Sequence, residues 1–299
     1  MHLGILREGI ELKFEFVAKH RGVWPVTWIC EVLDVSPSGF YSWRSRPPSG
    51  RKLYDEELIR DIRRSFGDSG ETYGVRRIWP DLKDWGHDVG RERIARLVRS
   101  LKLVAQLKRR KRPVDKGERL ESAIAPNTLD REFTATAPNQ KWVADFTYVW
   151  TREGWLYVAA VLDLFSRRIV GWSMKSRMTA DLVTDALIMA IWRRRPDTDL
   201  LHHSDQGSQY TCEQFQQLLE DHGIECSMSR TGECHDNAVM ESFFSRMKDE
   251  RVTRRRYRYR DEARADIFDY IERFYNPRRR HSSLGGISPM EYERRARLA

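Results

Sequence analysis

Three acidic residues, Asp145, Asp205 and Glu241, have the type and the spacing for phosphodiester chemistry. They lie 60 and 36 positions apart, within the segments WVADFTY, HSDQGS and DNAVMES. Carboxylate oxygens are the ligands that Mg²⁺ prefers, and a pair of such ions can activate an attacking oxygen and stabilise a leaving one. If the fold brings the three side chains together, the sequence predicts a site for two Mg²⁺ ions, with Mn²⁺ as a substitute.

Two of these carboxylates lie on a predicted strand or directly after one. Asp145 lies in the middle of an apolar strand predicted at residues 140–151, where a charge is costly unless a cation or a partner offsets it. Asp205 directly follows a short strand predicted at residues 200–204, and ligands of open α/β sheets bind near such strand ends. These positions favour a functional role for both carboxylates.

Glu241 lies on a helix predicted at residues 237–252. At helical spacing, Asn237 and Lys248 share the face of Glu241. We therefore expect Asn237 to support the site, and Lys248 to contact a DNA phosphate along that side of the helix.

Two other acids have structural explanations. Asp163, on the second predicted strand, is a further candidate ligand, but structural pairing with Arg167 or Arg168 is favoured. Asp236 is predicted to cap the helix that carries Glu241.

Tandem histidines, His202 and His203, precede Asp205 and suggest a metal site. Adjacent residues of a strand point to opposite faces, however, so both cannot easily bind one ion. His203 either supports the carboxylate site or is a packed histidine.

The order of the predicted elements describes a mixed sheet with helices packed on it. Three strands come first, with a hairpin turn at residues 152–154, and helices then alternate with strands. The predicted strands are residues 140–151, 155–165, 168–174, 200–204 and 224–229, and the predicted helices are residues 179–194, 211–222, 237–252 and 261–275. This order matches the ribonuclease-H-like architecture, so the predicted fold class is α/β, preceded by all-α units.

The first all-α unit, residues 1–50, has helices predicted at 11–20 and 26–32. A third helix is expected after Ser36, a good N-cap, with Pro37 at the first helical position. Helix, tight turn and helix form the helix-turn-helix pattern of DNA-binding proteins, although any small helical hairpin resembles it.

The second all-α unit, residues 51–107, ends in a helix with an apolar stripe and an arginine-rich face. Its predicted helices are residues 55–66, 75–85 (with Pro80 as a kink or break) and 91–101. Arg93, Arg96 and Arg99 make the last helix a candidate recognition helix, and a solvated basic face is the alternative.

Positive charge is clustered along the chain, whose formal net charge is +9. Such clusters suit a phosphate backbone, because each neutralised phosphate releases counterions; a solvated basic surface is the alternative. A basic linker is predicted at residues 108–135, with Lys108, Arg109, Arg110 and Lys111 as DNA contacts. A sheet-containing core is predicted at residues 136–253 and a basic helical tail at residues 254–299, with arginine clusters at 254–260 and 278–281.

Other classes of protein are disfavoured by composition. No apolar run approaches the roughly 20 residues of a membrane span, and charges occupy the N-terminus where a signal peptide needs an apolar stretch. The 4 cysteines form no CxxC pair, so neither a structural zinc nor a disulfide framework is indicated. We expect a cytoplasmic, nucleoid-associated protein.

Longer segments around these residues resemble the DDE transposases of bacterial insertion sequences, and more narrowly the OrfB-type product of the copy-and-paste IS-three family. The resemblance covers nearly the whole chain through YGVRRI (73–78), APNQKWVAD (137–145), HSDQGSQY (203–210), DNAVMESFF (236–244) and YNPRRRHSSL (275–284). The family often has an Arg or Gln-type residue where Pro277 stands. The 35 residues between Asp205 and Glu241 are also the spacing of retroviral integrases, whose N-terminal zinc-binding His/Cys set this chain lacks.

The resemblance implies that Asp145, Asp205 and Glu241 are the metal ligands of an integrase-like core that cleaves DNA with water and joins strands with a 3′-hydroxyl. The DNA partners would be terminal inverted repeats and target DNA, bound by a homo-oligomer, at least a dimer. An upstream OrfA partner, or a frameshift fusion to it, is also implied. Two other functions stay open: a non-catalytic DNA-binding regulator that occupies element ends, and a ribonuclease-H-type nuclease without joining activity.

Overall fold

A computed structural model describes residues 9–47, 49–105, 124–196, 199–230 and 234–298. The chain divides into two compact units, one reaching to Arg60 and one beginning at Asp61. The boundary falls inside a single helix, α4 (Gly50–Asp68). Within the described ranges, every helix is too short or too polar to span a bilayer.

The first unit packs three short helices around an aromatic core. These helices are α1 (Ile10–His20), α2 (Val26–Val32) and α3 (Pro37–Ser45). The Ser36 hydroxyl accepts a hydrogen bond from the Gly39 N–H at 3.3 Å, so Ser36 caps α3 as predicted. The rings of Phe14 and Phe40 meet at 6.1 Å between centroids. All three predicted helices are confirmed.

The second unit begins with the rest of α4 and two further helices. These are α5 (Val75–Asp84) and α6 (Arg91–Ser100). α5 runs through Pro80 without a break. α6 buries Ile94 and Leu97 against its neighbours, which is the amphipathic pattern predicted for it.

A five-stranded mixed sheet follows, in the order β3-β2-β1-β4-β5. Its strands are β1 (Lys141–Thr151), β2 (Gly154–Asp163), β3 (Ile169–Lys175), β4 (Leu201–Ser204) and β5 (Glu225–Met228). The pairs β1–β2 and β2–β3 are antiparallel, whereas β1–β4 and β4–β5 are parallel. The predicted mixed sheet is confirmed, because each predicted strand lies within two residues of an observed one.

Three helices pack on this sheet: α7 (Ala180–Arg194), α8 (Glu213–Asp221) and α9 (Ala238–Glu250). α7 and α8 cover one apolar core, which includes Trp142 of β1, Leu187 of α7 and Phe215 of α8. α7 lies so close to β3 that a Cβ on Gly171 would stand 2.1 Å from the Ala186 carbonyl oxygen. α9, the helix that carries Glu241, contacts β1.

The C-terminal segment is packed against the sheet domain. It contains α10 (Arg260–Asp269), a π-helical turn (Tyr270–Tyr275) and α11 (Pro289–Ala296). The sequence analysis identifies no helix at α11, although Ser288 before Pro289 repeats the cap seen at α3 and accepts a hydrogen bond from the Glu291 N–H at 3.3 Å. Buried Glu293 accepts hydrogen bonds from Arg194 at 2.9 Å and from Arg168 at 2.8 Å.

The end of α9 is held by a buried ion pair. Both carboxylate oxygens of Glu250 accept hydrogen bonds from Arg279, at 2.7 and 2.8 Å, and one also accepts from the Tyr270 hydroxyl at 2.9 Å. Arg77 of α5 lies 3.8 Å from the same carboxylate. The Glu250 carboxylate thus joins α9 to the C-terminal segment and to α5.

This pairing corrects one expectation for the arginine cluster at residues 278–281. Arg279 is buried in its pair with Glu250, and Arg280 is paired with Asp81 at 2.7 Å. Both arginines therefore hold the fold together through ion pairs, and the solvated basic surface that was the alternative to phosphate binding does not apply to them.

Glu250→Gln should lower the free energy of unfolding by about 3–5 kcal/mol, because Arg279 would keep a buried charge without its partner. Urea unfolding at pH 7 measures this. As a control, Glu291→Gln removes a half-buried acid that pairs with the exposed side chains of Arg294 and Arg295, and it should cost less than about 1 kcal/mol. Equal costs for the two variants would contradict the proposed importance of the buried pair.

The same comparison has a pH dependence. Burial raises the pKa of Glu250, but the hydrogen bonds and charge of Arg279, the Tyr270 hydroxyl and the charge of Arg77 together leave this pKa below its ordinary value. The stabilisation is then present above the pKa of an unfolded glutamate and is lost as the pH falls through the folded-state pKa. The difference in stability between wild type and Glu250→Gln should therefore shrink in acid.

Candidate active site

The pairing of β1 with β4 places two of the predicted acids side by side. These strands are parallel neighbours, with Val143 opposite His203. Two residues further along each chain come Asp145, on β1, and Asp205, directly after β4. The strand register, rather than any local motif, brings these carboxylates together.

Backbone amides orient both carboxylates. One oxygen of Asp145 accepts a hydrogen bond from the Phe146 N–H at 2.7 Å, and one oxygen of Asp205 accepts from the Gly207 N–H at 3.0 Å. A Cβ on Gly207 would lie 2.9 Å from that Asp205 oxygen, so a side chain at this position would displace the Asp205 carboxylate.

The third acid is brought in by Asn237, at the start of α9. The side-chain amide of Asn237 donates a hydrogen bond to the Ala144 carbonyl at 2.9 Å. Ala144 directly precedes Asp145, and Glu241 lies about one helical turn beyond Asn237. The expectation that Asn237 supports the site agrees with this contact.

Charge interactions show that the three acids are neighbours. Burial raises the pKa of Asp145 well above its ordinary value, and the charges of Asp205 and Glu241 raise it further. The Phe146 N–H and the charge of Lys248 act in the opposite direction. The described part of the chain contains no group of three or more His, Cys, Asp or Glu side chains already placed to hold a metal ion.

Lys248 lies among exposed aromatic side chains next to this site. Its ammonium is 4.8 Å from the centre of the Tyr148 ring, a cation–π contact. Trp155 contacts both Tyr148 and Trp150 edge to face, at 5.0 and 4.7 Å. These three aromatic residues are 42–59% exposed, so basic and aromatic groups share one surface of the β1–β2 hairpin.

Tyr210 is a residue near the site that the sequence analysis did not single out. It is buried beside Phe146, and burial together with the charges of Asp145 and Asp205 raises its pKa well above the ordinary value. Its place in the HSDQGSQY segment, five residues after Asp205, was the available signal.

The tandem histidines lie on opposite sides of β4, as expected. His202 packs against Phe215, with ring centroids 5.4 Å apart, whereas a ring nitrogen of His203 is 2.9 Å from the Ser227 hydroxyl. Burial lowers the pKa of His203 to about 4, so it is neutral at pH 7. His203 is thus a packed histidine that joins β4 to β5, and any support for the site is indirect.

The structural role of Asp163 agrees with expectation, but its partner does not. Asp163 is fully buried and lies 3.6 Å from Arg194, and it accepts a hydrogen bond from the Asn139 N–H at 2.7 Å. Arg168 pairs with Glu293 at 2.8 Å. The contact with Arg194 of α7 therefore takes the place of the expected pairing with Arg167 or Arg168.

Asp236 does not cap α9. Its carboxylate accepts hydrogen bonds from the side chains of Asn127 at 2.9 Å and Arg131 at 2.7 Å, and from the Arg230 N–H at 3.0 Å. Asn237 occupies the cap position instead, without a side-chain capping bond. Asp236 therefore fastens the segment before β1 to the loop before α9.

The predicted DNA-contacting residues are only partly described. On α6, Arg96 and Arg99 are exposed and Arg93 is half-buried. Lys108, Arg109, Arg110 and Lys111 lie outside the described residues.

Comparisons with known proteins agree with this architecture. Two models of the Integrase core domain match residues 135–234 and 222–289, and a model of an HTH-like domain matches residues 53–112. The catalytic core domain of HTLV-2 integrase, solved in complex with magnesium, is similar at a TM-score of 0.42 and 16% identity, covering 53% of this chain and 98% of that one.

Two curated relatives match nearly from end to end. An uncharacterized 31 kDa protein of insertion element IS600 from Shigella sonnei is 46% identical over 264 residues, 88% of this chain and 97% of that protein. The transposase InsF for insertion sequence IS3A from Escherichia coli K12 is 39% identical over 285 residues, 94% of this chain and 98% of that protein. Nothing in these matches favours a non-catalytic regulator, and a transposase relative disfavours a nuclease without joining activity. The chain therefore belongs to the IS3 family of insertion-sequence DDE transposases, DNA-binding polynucleotidyl transferases with an integrase core.

Proposed function

We propose that Asp145, Asp205 and Glu241 hold two divalent cations and that this single site performs both strand cleavage and strand transfer. The observation that carries the proposal is the strand register, which sets Asp145 beside Asp205, together with the bond from Asn237 to Ala144 at the start of the helix that carries Glu241. Burial raises the pKa of Asp145, and the charges of Asp205 and Glu241 raise it further, in agreement with this arrangement. Bound cations would remove the repulsion, because opposite charge favours the ionised carboxylates.

The donor chemistry fits Mg²⁺, with Mn²⁺ as a substitute. All three side chains offer hard oxygen ligands, and Mg²⁺ needs few protein carboxylates because it retains waters and binds substrate phosphate. Backbone amides orient one oxygen each of Asp145 and Asp205, and a carboxylate oxygen that accepts such a bond remains a hard ligand. When bound, the cations would activate the attacking oxygen and stabilise the leaving one.

The two steps balance without another reactant. In cleavage, a water oxygen bonds to the phosphorus at the element end, and the bond to the 3′-oxygen breaks, which leaves a 3′-hydroxyl. In transfer, this hydroxyl attacks a target phosphodiester, and one phosphodiester forms as another breaks. Lys248, beside Asp145, would hold the substrate phosphate by its charge, and Asn237 would keep Glu241 in place.

We also propose that the helical units and the basic linker recognise DNA. Arg93, Arg96 and Arg99 of α6 would contact element ends, since this helix lies in the HTH-like match. Lys108, Arg109, Arg110 and Lys111 would contact the phosphate backbone. Terminal inverted repeats and target DNA are the proposed substrates, joined by at least a dimer. An upstream OrfA partner or fusion and a nucleoid location stay predictions.

Asp145→Asn, Asp205→Asn and Glu241→Gln should each reduce strand cleavage and strand transfer more than about a hundredfold. This exceeds the roughly ten- to hundredfold loss typical of residues that only support a metal ligand. Gel assays on a duplex with the element terminus would measure both steps with Mg²⁺. Asp221→Asn, the same change at an exposed acid of α8, should retain activity. Near wild-type transfer by Asp145→Asn would contradict the proposal.

Asp145→Asn should also stabilise the metal-free protein at pH 7, because the amide cannot ionise and so avoids the burial and the carboxylate repulsion that raise the pKa of Asp145. The folded pKa of Asp145 is raised, so ionisation opposes folding above the ordinary pKa of an aspartate and not below it. The asparagine oxygen can still accept the Phe146 N–H.

Thermal unfolding with and without Mg²⁺ tests this. Mg²⁺ should raise the Tm of wild type and of Asp221→Asn, and raise that of Asp145→Asn much less. A wild-type Tm that does not respond to Mg²⁺ or Mn²⁺ would count against the metal assignment, whatever the activity assays show.

A further inference from the structure

A cavity of about 280 Å³ lies against the first half of α9, outside the acidic site. Ser242 and Arg246 of α9 line it, and so do arginines from three other parts of the second unit. These are Arg77 of α5, Arg167 of the β2–β3 turn and Arg279 of the C-terminal segment. We call it the arginine cavity. Its volume equals that of roughly nine water molecules at about 30 Å³ each.

The arginine cavity has an excess of positive charge. Among the described residues that line it, none is acidic. The nearby carboxylate of Glu250 is hydrogen-bonded to Arg279, and it lies 3.8 Å from Arg77. Outside the lining, the charge of Asp163 acts on Arg167, and the charge of Asp249 interacts with that of Arg246. These acids do not line the cavity, so the surface that a ligand would meet is positive.

Several groups in the cavity reflect this excess. The pKa of Arg77 is lowered by burial and then by the charge of Arg279. Burial and the four arginines together lower the pKa of His281 to about 2, so its imidazole adds no charge. One terminal nitrogen of Arg167 is buried and has no hydrogen-bond partner among the described residues, although its other one donates to the Phe133 carbonyl at 2.9 Å. A buried donor of this kind is costly unless an acceptor reaches it.

The groups around the cavity fit a tetrahedral oxyanion. The guanidinium groups of Arg167 and Arg246 can each donate to a different phosphate oxygen, and arginine suits phosphate for this reason. Arg279 donates to Glu250 and Arg77 lies close to it, so these two contribute mainly positive charge. The hydroxyls of Ser242, Ser282 and Ser283 add further donors. The cavity also includes Ala238 and Val239 in the first turn of α9, where the helix dipole favours negative charge.

We propose that the arginine cavity is a phosphate-binding site, and that during transposition it takes a backbone phosphate of the bound DNA. The second half of this proposal rests on the proposed function of the neighbouring acidic site. Ser242 directly follows Glu241, so a phosphate in the cavity would anchor DNA close to the reacting strand and fix its position relative to the carboxylates. The site reads no bases, because phosphate contacts position DNA and base contacts specify it.

Inorganic phosphate tests the first half on the full chain. Calorimetric titration at constant ionic strength, with chloride as the competing anion, should show one phosphate bound per chain. Arg246→Gln, at an exposed position that tolerates change, should weaken binding at least about tenfold, and Arg246→Lys should weaken it less. Arg273→Gln removes the same charge at a position with a 76% exposed side chain outside the cavity, and it should bind like wild type.

Two results would overturn the phosphate site. One is the absence of saturable phosphate binding to wild type, and the other is equal affinity of Arg246→Gln and Arg273→Gln. Asp145→Asn should bind phosphate normally and yet fail to cleave DNA. The experiments can therefore contradict the proposed catalytic site and the proposed phosphate site independently of each other.

A backbone-substitution scan tests the DNA half. Duplexes with the element terminus would carry a neutral methylphosphonate at one position at a time, and binding would be measured for wild type and Arg246→Gln. At one or two positions the neutral group should weaken DNA binding by the wild-type protein about tenfold. It should affect binding by Arg246→Gln little, because this variant has already lost its contact with that phosphate. If every position affects both proteins equally, the cavity binds only a free anion and the assignment to DNA is wrong.

Discussion

The buried ion pair between Glu250 and Arg279 is the interaction on which the arrangement of the active site depends. Glu241 has no fixed position unless α9 is held. The bond from Asn237 to β1 holds the start of this helix, and the ion pair of Glu250 holds its end. If either residue of the pair were lost, the charge of the other would be buried without compensation. The contact is therefore favourable only when both charges are in place. Residues far from the carboxylates in sequence therefore control their geometry.

Charge of opposite sign is collected on two sides of the same helix. Near Glu241, carboxylates repel one another, and near Ser242 and Arg246, guanidinium groups do the same. A folded chain tolerates such like-charge clusters only where the rest of the structure holds them, and the buried pairs around α9 supply that rigidity. On the functions proposed above, a polyanionic substrate with divalent cations would compensate both clusters at once.

The sequence was most informative where function depends on local pattern. The order of strands and helices predicted the mixed sheet, and the distinctive segments around Asp145, Asp205 and Glu241 identified acids that the register then placed together.

Ion-pair partners could not be predicted, because they depend on which distant surfaces meet. Asp163 pairs with Arg194 of α7, and Asp236 binds the segment before β1. The burial of Arg279 was equally hidden, since an arginine run looks the same whether it faces solvent or a carboxylate 29 positions away. α11 was missed although its Ser-Pro start repeats that of α3.

The contacts of Glu293 also limit how this protein can be divided. Arg168, in the turn before β3, and Arg194, on α7, share this one carboxylate from α11. A fragment that stops at residue 253, where strand and helix patterns suggest a natural boundary, would remove it and uncover the surface beneath α11. The catalytic module is therefore not separable at that point, and any transplant of it into a chimera has to carry the helix at Pro289–Ala296 as an integral part.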